Sequence, residues 1–353
     1  MVLLSFYIFS LLLITFVRKA NLSWVYCIIV TCISVLSFFY APNDSADLSR
    51  HFDSIMQFGD MGLDWVLENK CDINPLTSLL FYAFSFFGEP RLFASFSVFV
   101  TYSFIFLLLH RVTQHYFLTK PEVTVLATFL LFNWNYLLIV SNCRIFMLYA
   151  VVIYFFYMEF IEDTYHRTAF LVYVASLFFH YGILLVLIPR FLLYLYKPKR
   201  KSTYIIAAIV LSLLGYVCVS SYQSIFLDSL MEKVEGYKNY KVFGLLQYVN
   251  SLFCIVICGF YLLYKHKIVR YCNIRYFIVS CLLFLLILFQ ITNYQVIYRE
   301  SNLVASLSIV LFAQMFVTEK NENLKTIIYL QSGICFLYYV MFVYKFIDFK
   351  YVV

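Results

Sequence analysis

Four short polar clusters interrupt an otherwise apolar chain, and their arginines, histidines and carboxylates are the residues able to hold an anion or orient a charge. The first, Asn43-Asp44-Ser45-Ala46-Asp47-Leu48-Ser49-Arg50-His51-Phe52-Asp53, sets Asp47 three residues before Arg50 and four before His51. On a helix those spacings let one carboxylate orient both cations. Leu48, Phe52 and Ile55 share one helical stripe and Asp47, Arg50, His51 and Ser54 another, the pattern of an amphipathic helix lying on the outer surface. The second cluster, Ser141-Asn142-Cys143-Arg144-Ile145, puts an arginine at the mouth of an apolar helix. An arginine there costs about 3 kcal/mol unless it faces protein, a cavity or an anionic ligand, or snorkels to head groups.

The third cluster, Leu177-Phe178-Phe179-His180-Tyr181-Gly182-Ile183, isolates one histidine in an apolar run, where a hydrogen bond to a neighbouring carbonyl is its plainest role. The fourth runs from Gln290 to Tyr298-Arg299-Glu300-Ser301-Asn302 and opens a helix with an Arg-Glu pair; as an interfacial ion pair it would contribute little. Asn133-Trp134-Asn135 also breaks an apolar run, and reads first as interhelical hydrogen bonding and second as cavity lining.

The elements that must position these groups are membrane helices. Of 353 residues, 63% are apolar and 13% charged, whereas a soluble domain carries about a quarter charged residues. Apolar runs recur near the ~20 residues needed to cross a bilayer, without the alternation of a membrane barrel. The expected fold is an all-α, polytopic helical bundle forming one domain over 1–353, with about 10–13 spanning or half-spanning helices. Clear spans are expected at 2–17, 24–40, 92–109, 123–140, 145–161, 204–219, 243–263, 277–291, 302–317 and 326–343. The stretch 76–88 is short for a crossing, and 168–195 is long for one and short for two, so each admits a tilted helix or a broken pair. The first span has no preceding basic residue and no small-residue cleavage pattern, and reads as a retained helix.

Connector charge gives the orientation. Arg18 and Lys19, the 197–201 basic run, Lys265, Lys267, Arg270, Arg275, Lys320 and Lys325 mark cytoplasmic loops. The N-terminus is then external, as are an amphipathic loop at 42–75, rich in aspartate, and a second loop at 220–242. With 76–88 not crossing and 168–195 a broken pair, Arg111, Lys120 and Arg167 fall inside and Arg144, His180 and Arg299 fall near the outer face; full single crossings would instead put Arg144 inside and Arg111 outside. The net charge of +7 is therefore a topology signal and implies no nucleic-acid partner. Ten scattered cysteines, without a Cys/His cluster, point to no metal site and no disulfide framework.

Asp47-Leu48-Ser49-Arg50-His51-Phe52 resembles the "DLxRYY/F" element of the EpsG family, the Wzy-like polymerases of bacterial exopolysaccharide, capsule and O-antigen. Cys143-Arg144-Ile145 and the helix after it are similar to that family's arginine-led helix, and Ala175-Ser176-Leu177-Phe178-Phe179-His180-Tyr181-Gly182-Ile183 resembles its histidine signature. Tyr298-Arg299 sits where such proteins often carry a further arginine. The chain departs from the pattern at Ile145, where glutamine is frequent, and at Tyr181-Gly182, which replace a small polar and a small apolar residue. The likeness spans roughly 44–195, with the rest matching in layout.

The resemblance implies a plasma-membrane glycosyltransferase that moves glycan from an undecaprenyl diphosphate carrier onto a sugar hydroxyl of another lipid-linked unit, at the outer face; with no metal-ligand spacing in the chain, a metal-independent transfer without a cofactor is expected. Its partners would be the lipid-linked oligosaccharide, membrane lipids, and a flippase and chain-length regulator of the same pathway. Under it, His180, Asp47, Arg144 and Arg299 are the catalytic candidates, with His180 as base or proton shuttle and Asp47 as an orienting group or the base. Arg50, His51, Arg144, Arg299 and Glu300 would hold diphosphate or glycan, and Trp134, with Trp65 and Tyr181, would stack on sugar faces. A flippase of lipid-linked oligosaccharide, a ligase acting on another acceptor and a glycan acyltransferase are the competing readings. A transporter would show internal repeats and charges nearer mid-membrane, and the acyltransferase an arginine-rich cytoplasmic funnel; ligase and polymerase are not separated by the sequence.

Overall fold

The structure, a computed structural model, describes residues 2–42, 47–71, 74–180, 182–195, 241–264, 271–289, 294–318 and 322–345. The helices are α1 (Val2–Phe16), α2 (Leu22–Phe38), α3 (Asp47–Met61), α4 (Leu63–Lys70), α5 (Pro75–Ser85), α6 (Arg91–His115), α7 (Lys120–Asn133), α8 (Tyr136–Ser141), α9 (Cys143–Phe160), α10 (His166–Phe179), α11 (Ile183–Leu195), α12 (Lys241–Tyr264), α13 (Tyr271–Phe289), α14 (Tyr294–Leu307), α15 (Ile309–Thr318) and α16 (Glu322–Lys345). Among the described residues no strand occurs, and five helical stretches are long and apolar enough to cross a membrane. The chain is an all-α polytopic membrane bundle. The expected span at 204–219, most of the loop at 220–242, the basic connectors at 197–201 and 265–270, Lys320, Gln290, Tyr181 and the start of the first cluster at 43–46 lie outside the described residues.

The innermost layer is built from α7, α8, α9, α14 and α15, whose spans are the most enclosed, while α2 and α6 present more of their surface outward. Two of these inner spans are broken. The run expected as one crossing at 123–140 divides at Trp134, because Asn135 starts a new helix by accepting the Leu138 N–H at 2.9 Å. The run expected at 302–317 divides between Leu307 and Ile309. Peptide groups freed inside a bilayer must find partners within the protein, and at the first break they are met by side chains of neighbouring helices. Asn133 Nδ2 donates to Asn302 O, Asn302 Oδ1 and Ser306 Oγ at 3.0, 2.8 and 2.7 Å, and Asn302 Nδ2 returns a bond to Asn133 O at 2.6 Å. Tyr102 donates to Trp134 O at 2.7 Å, and Tyr136 N–H donates to Tyr7 Oη at 2.8 Å, so α1 and α6 close the network from the other side.

Charges gather at two ends. Arg111, near the end of α6, lies 3.8 Å from Glu162, just beyond α9, and Glu122 in the first turn of α7 lies 4.0 Å from Lys325 of α16. Thr119 and Glu122 form a capping box that fixes where α7 starts at this end. The other end carries Asn142 and Arg144 at the head of α9; its 18 residues separate the two ends by about 27 Å at 1.5 Å per residue.

The two ambiguous stretches resolve into short helices. Residues 76–88 hold α5, 11 residues long, about 16 Å and under a membrane thickness. Residues 168–195 hold α10 and α11 joined at His180–Gly182. Tyr173 of α10 donates to Glu159 Oε2 at 2.9 Å, and Arg190 of α11 donates to Glu159 Oε1 at 2.9 Å. Tyr173 and Arg190 are nearly equidistant in sequence from the turn and meet one carboxylate, so α10 and α11 run antiparallel as a hairpin whose tip carries His180.

Candidate functional site: a cationic cluster at one end of the bundle

The cluster begins with α3, which lies against α5. Its buried stripe is Leu48, His51, Ile55 and Phe58, spaced 3, 4 and 3 residues apart. Gly59 permits the close approach, since a Cβ there would stand 3.1 Å from Ser85 Cβ of α5. This corrects the expected helical faces: His51 belongs to the inward stripe, and Phe52 is only partly buried. His51 is 6% exposed, with its ring 5.2 Å from that of Phe81 in α5 and 6.2 Å from that of Phe93 in α6. It is turned into an aromatic pocket and away from Asp47, so the expected Asp47–His51 pairing is replaced by packing.

Asp47 pairs instead with arginines. Its carboxylate accepts a hydrogen bond from Arg50 one turn on, and its Oδ2 stands 3.6 Å from Arg299 Nη2 on α14. Arg299 also donates to Asn142 Oδ1 in the junction between α8 and α9. Through Nη2, one guanidinium thereby joins the surface helix, the inner broken helix and the head of α9. Arg144 follows Asn142 by two residues, and its guanidinium lies 5.9 Å from the centroid of Phe81. Phe81 is thus shared between His51 and Arg144, and α5, though too short to cross, organises both.

The hairpin tip completes the group. Thr77 of α5 donates to Phe179 O at 2.6 Å, fixing the end of α10 beside α5. Gly182 N–H donates to His180 Nδ1 at 3.0 Å, and Ile183 N–H to His180 O at 3.0 Å. His51 senses the whole assembly: burial first, then the charges of Arg144, Arg50, His180 and Arg299, hold its pKa well below the usual histidine value. His51 is therefore a neutral ring beneath three cationic side chains.

The structure brings together Asp47, Arg50, His51, Arg144, His180 and Arg299 from the expected set. Glu300 sits beside Arg299 but faces inward, 3% exposed, with Oε2 lacking a hydrogen-bond partner, so it offers no surface to a glycan. Trp134 is a correction. Its indole is fully buried, donates to Ser306 Oγ at 2.5 Å and meets Phe146 edge to face at 5.7 Å, which leaves no ring face for a sugar. Trp65 belongs to α4 and packs on Phe58 at 6.2 Å with Lys70 over its ring, apart from the arginines. Phe81 and Thr77 enter the site with only their one-turn spacing as a sequence signal, and Asn142 enters it from the second polar cluster. Comparison with family models, curated proteins and solved structures finds no match.

Proposed function

We propose that the chain polymerises lipid-linked oligosaccharide repeat units, transferring glycan from a polyprenyl diphosphate to a sugar hydroxyl of a second lipid-linked unit at the outer face of the bacterial plasma membrane. The observation that carries this reading is the convergence of Arg50, Arg144 and Arg299 with His180 at one end of a membrane bundle, from helices distant in sequence. Guanidinium forks match the paired oxygens of a diphosphate, and a dense set of fixed donors stabilises the charge that grows on it as it leaves. In the reaction the anomeric carbon–oxygen bond to the diphosphate breaks, a bond from that carbon to the acceptor oxygen forms, and the hydroxyl proton passes to a base. The lipid diphosphate departs carrying the bonding pair. Asp47 and His180 are the groups within the cluster with proton chemistry to offer.

The likeness of 47–52, 143–145 and 175–183 to EpsG-family elements supports the same reading, because those three segments are the ones that meet in the cluster. Location also favours transfer over transport: a transporter keeps its ligand-holding groups near mid-membrane between alternating gates, whereas these groups sit at the head of α9. The test is deletion in the native cell followed by sizing of the surface glycan. Single repeat units on the lipid support the polymerase; complete loss of surface glycan supports export instead.

A further inference from the structure

We propose that Asp47 is a built-in competitor for the anion site: its carboxylate bridges Arg50 and Arg299 as a ligand oxygen would, and a diphosphate binds by displacing it. The ligand is the diphosphate of the reading above, on which this inference rests. The two carboxylate oxygens are divided between two helices. Oδ1 accepts a hydrogen bond from Arg50 one turn on in α3, and Oδ2 faces Arg299 Nη2 of α14 at 3.6 Å. Arg144 stands near enough to feel the charges of Asp47, Arg299 and Arg50.

Three guanidinium groups gathered at one place repel, and a carboxylate set between two of them relieves that repulsion. A diphosphate oxygen seeks the same N–H donors. Ligand and Asp47 therefore contend for one position, and two anions sharing it would repel each other. Glu300, next in sequence to Arg299, is 3% exposed and faces inward, so it takes no part in this exchange.

Asp47 can give way while α3 stays in place. The helix is held by its buried stripe of Leu48, His51, Ile55 and Phe58, whereas the Asp47 and Arg50 side chains are 28% and 61% exposed. An ion pair so open to solvent is a weak competitor. A diphosphate brings more charge and more acceptor oxygens to the same forks, and once bound it takes over the bridge between α3 and α14. Asp47 thus sets how strongly an anion must bind before the arginines accept it.

Calorimetric titration of inorganic pyrophosphate into the full-length protein, in nanodiscs of phosphatidylcholine at fixed ionic strength, tests this. Asp47→Asn keeps the side chain's size and removes its charge. It is expected to bind pyrophosphate at least about fivefold more tightly than wild type, or about 1 kcal/mol on the conversion of 1.4 kcal/mol per tenfold. Asp47→Ala should gain alike, so a fold lost in one variant leaves the other to decide. Asp53→Asn removes an exposed charge from the same helix and should stay within about twofold of wild type, because salt and solvent screen it. In an Arg299→Ala background the gain from Asp47→Asn should vanish. Equal or weaker binding by the Asp47 variants, an equal gain in Asp53→Asn, or a gain that survives the loss of Arg299 overturns the inference, leaving Asp47 as a support for the arginines or a bulk charge. Arg144→Ala tests the diphosphate reading in the same titration. Wild-type binding that needs Arg144 leaves that reading standing whatever the Asp47 variants do, and absence of binding from every protein overturns both.

Discussion

Arg299 Nη2 on α14 lies 3.6 Å from Asp47 Oδ2 on α3, and this contact ties a surface helix to the inner layer of a membrane bundle. Because both side chains are partly exposed, solvent screens the pair and its stabilisation is at most about 1 kcal/mol. Its weight lies in docking. Asp47→Ala is expected to leave global stability nearly unchanged while raising amide hydrogen exchange across α3 about fivefold, the factor that about 1 kcal/mol of local stability controls. Unchanged exchange in α3 would show that the hydrophobic stripe holds the helix without the ion pair.

His51 makes stability depend on pH in a predictable sense. Its folded pKa is depressed well below the ordinary value, so at pH near 6 the unfolded chain takes up a proton that the folded chain does not. Stability is therefore full above about pH 6.5 and falls as pH drops below it toward the folded value. Thermal unfolding in detergent between pH 7.5 and 5 should show the loss, and His51→Phe should flatten it by removing the titrating group. An equal slope in that variant would assign the effect elsewhere.

The contact between Asn133, the last residue of α7, and Asn302, inside α14, is expected to behave as one unit. Asn133→Leu leaves buried partners on α14 unsatisfied and should cost about 1–3 kcal/mol. Asn302→Leu should cost a similar amount, and the double variant should fall short of the sum by at least about 0.5 kcal/mol. Additive losses measured by denaturant unfolding in mixed micelles would mean that the two side chains act separately.

At the far end of α9, Glu159 and Arg190 form a buried pair with side chains 9% and 7% exposed, bridged to Tyr173. Removing one charge strands the other in a poor solvent. Glu159→Leu is expected to destabilise by about 3–5 kcal/mol, and the combined Glu159→Leu, Arg190→Leu variant to regain most of that. Because both arms of the hairpin meet Glu159, the single variant should also loosen the His180 tip and raise hydrogen exchange at Gly182 and Ile183. Protection retained at those amides would separate the clamp from the tip.

The bilayer, the helices and the surface character of α3 are legible because they are local: they follow from run length and periodicity. His51 shows where type misleads. It stands between Leu48 and Ile55 on the helical wheel and is buried with them, but a polar residue in a polar segment reads as solvent-facing until Phe81 and Phe93 are seen beside it. Trp134 errs the other way, since its partner Ser306 comes from a helix remote in sequence and only the fold reveals that the indole is enclosed. The break before Ile309 had no signal, because Ser308 in an apolar run is ordinary. Connector charge and the number of crossings place Arg144 and Arg299 at one face, but the bonds that hold them near each other, through Asn142 and Asp47, are tertiary and leave no spacing in the chain.

The central claim is that the arginine cluster holds a diphosphate while glycan is transferred, and the direct measurement is surface-glycan length in cells carrying Arg144→Ala or Arg299→Ala, with membrane insertion verified by the amount of protein in the bilayer. Both variants are expected to insert and to leave single repeat units on the lipid in place of polymer. Normal chain length in either inserted variant would contradict the account.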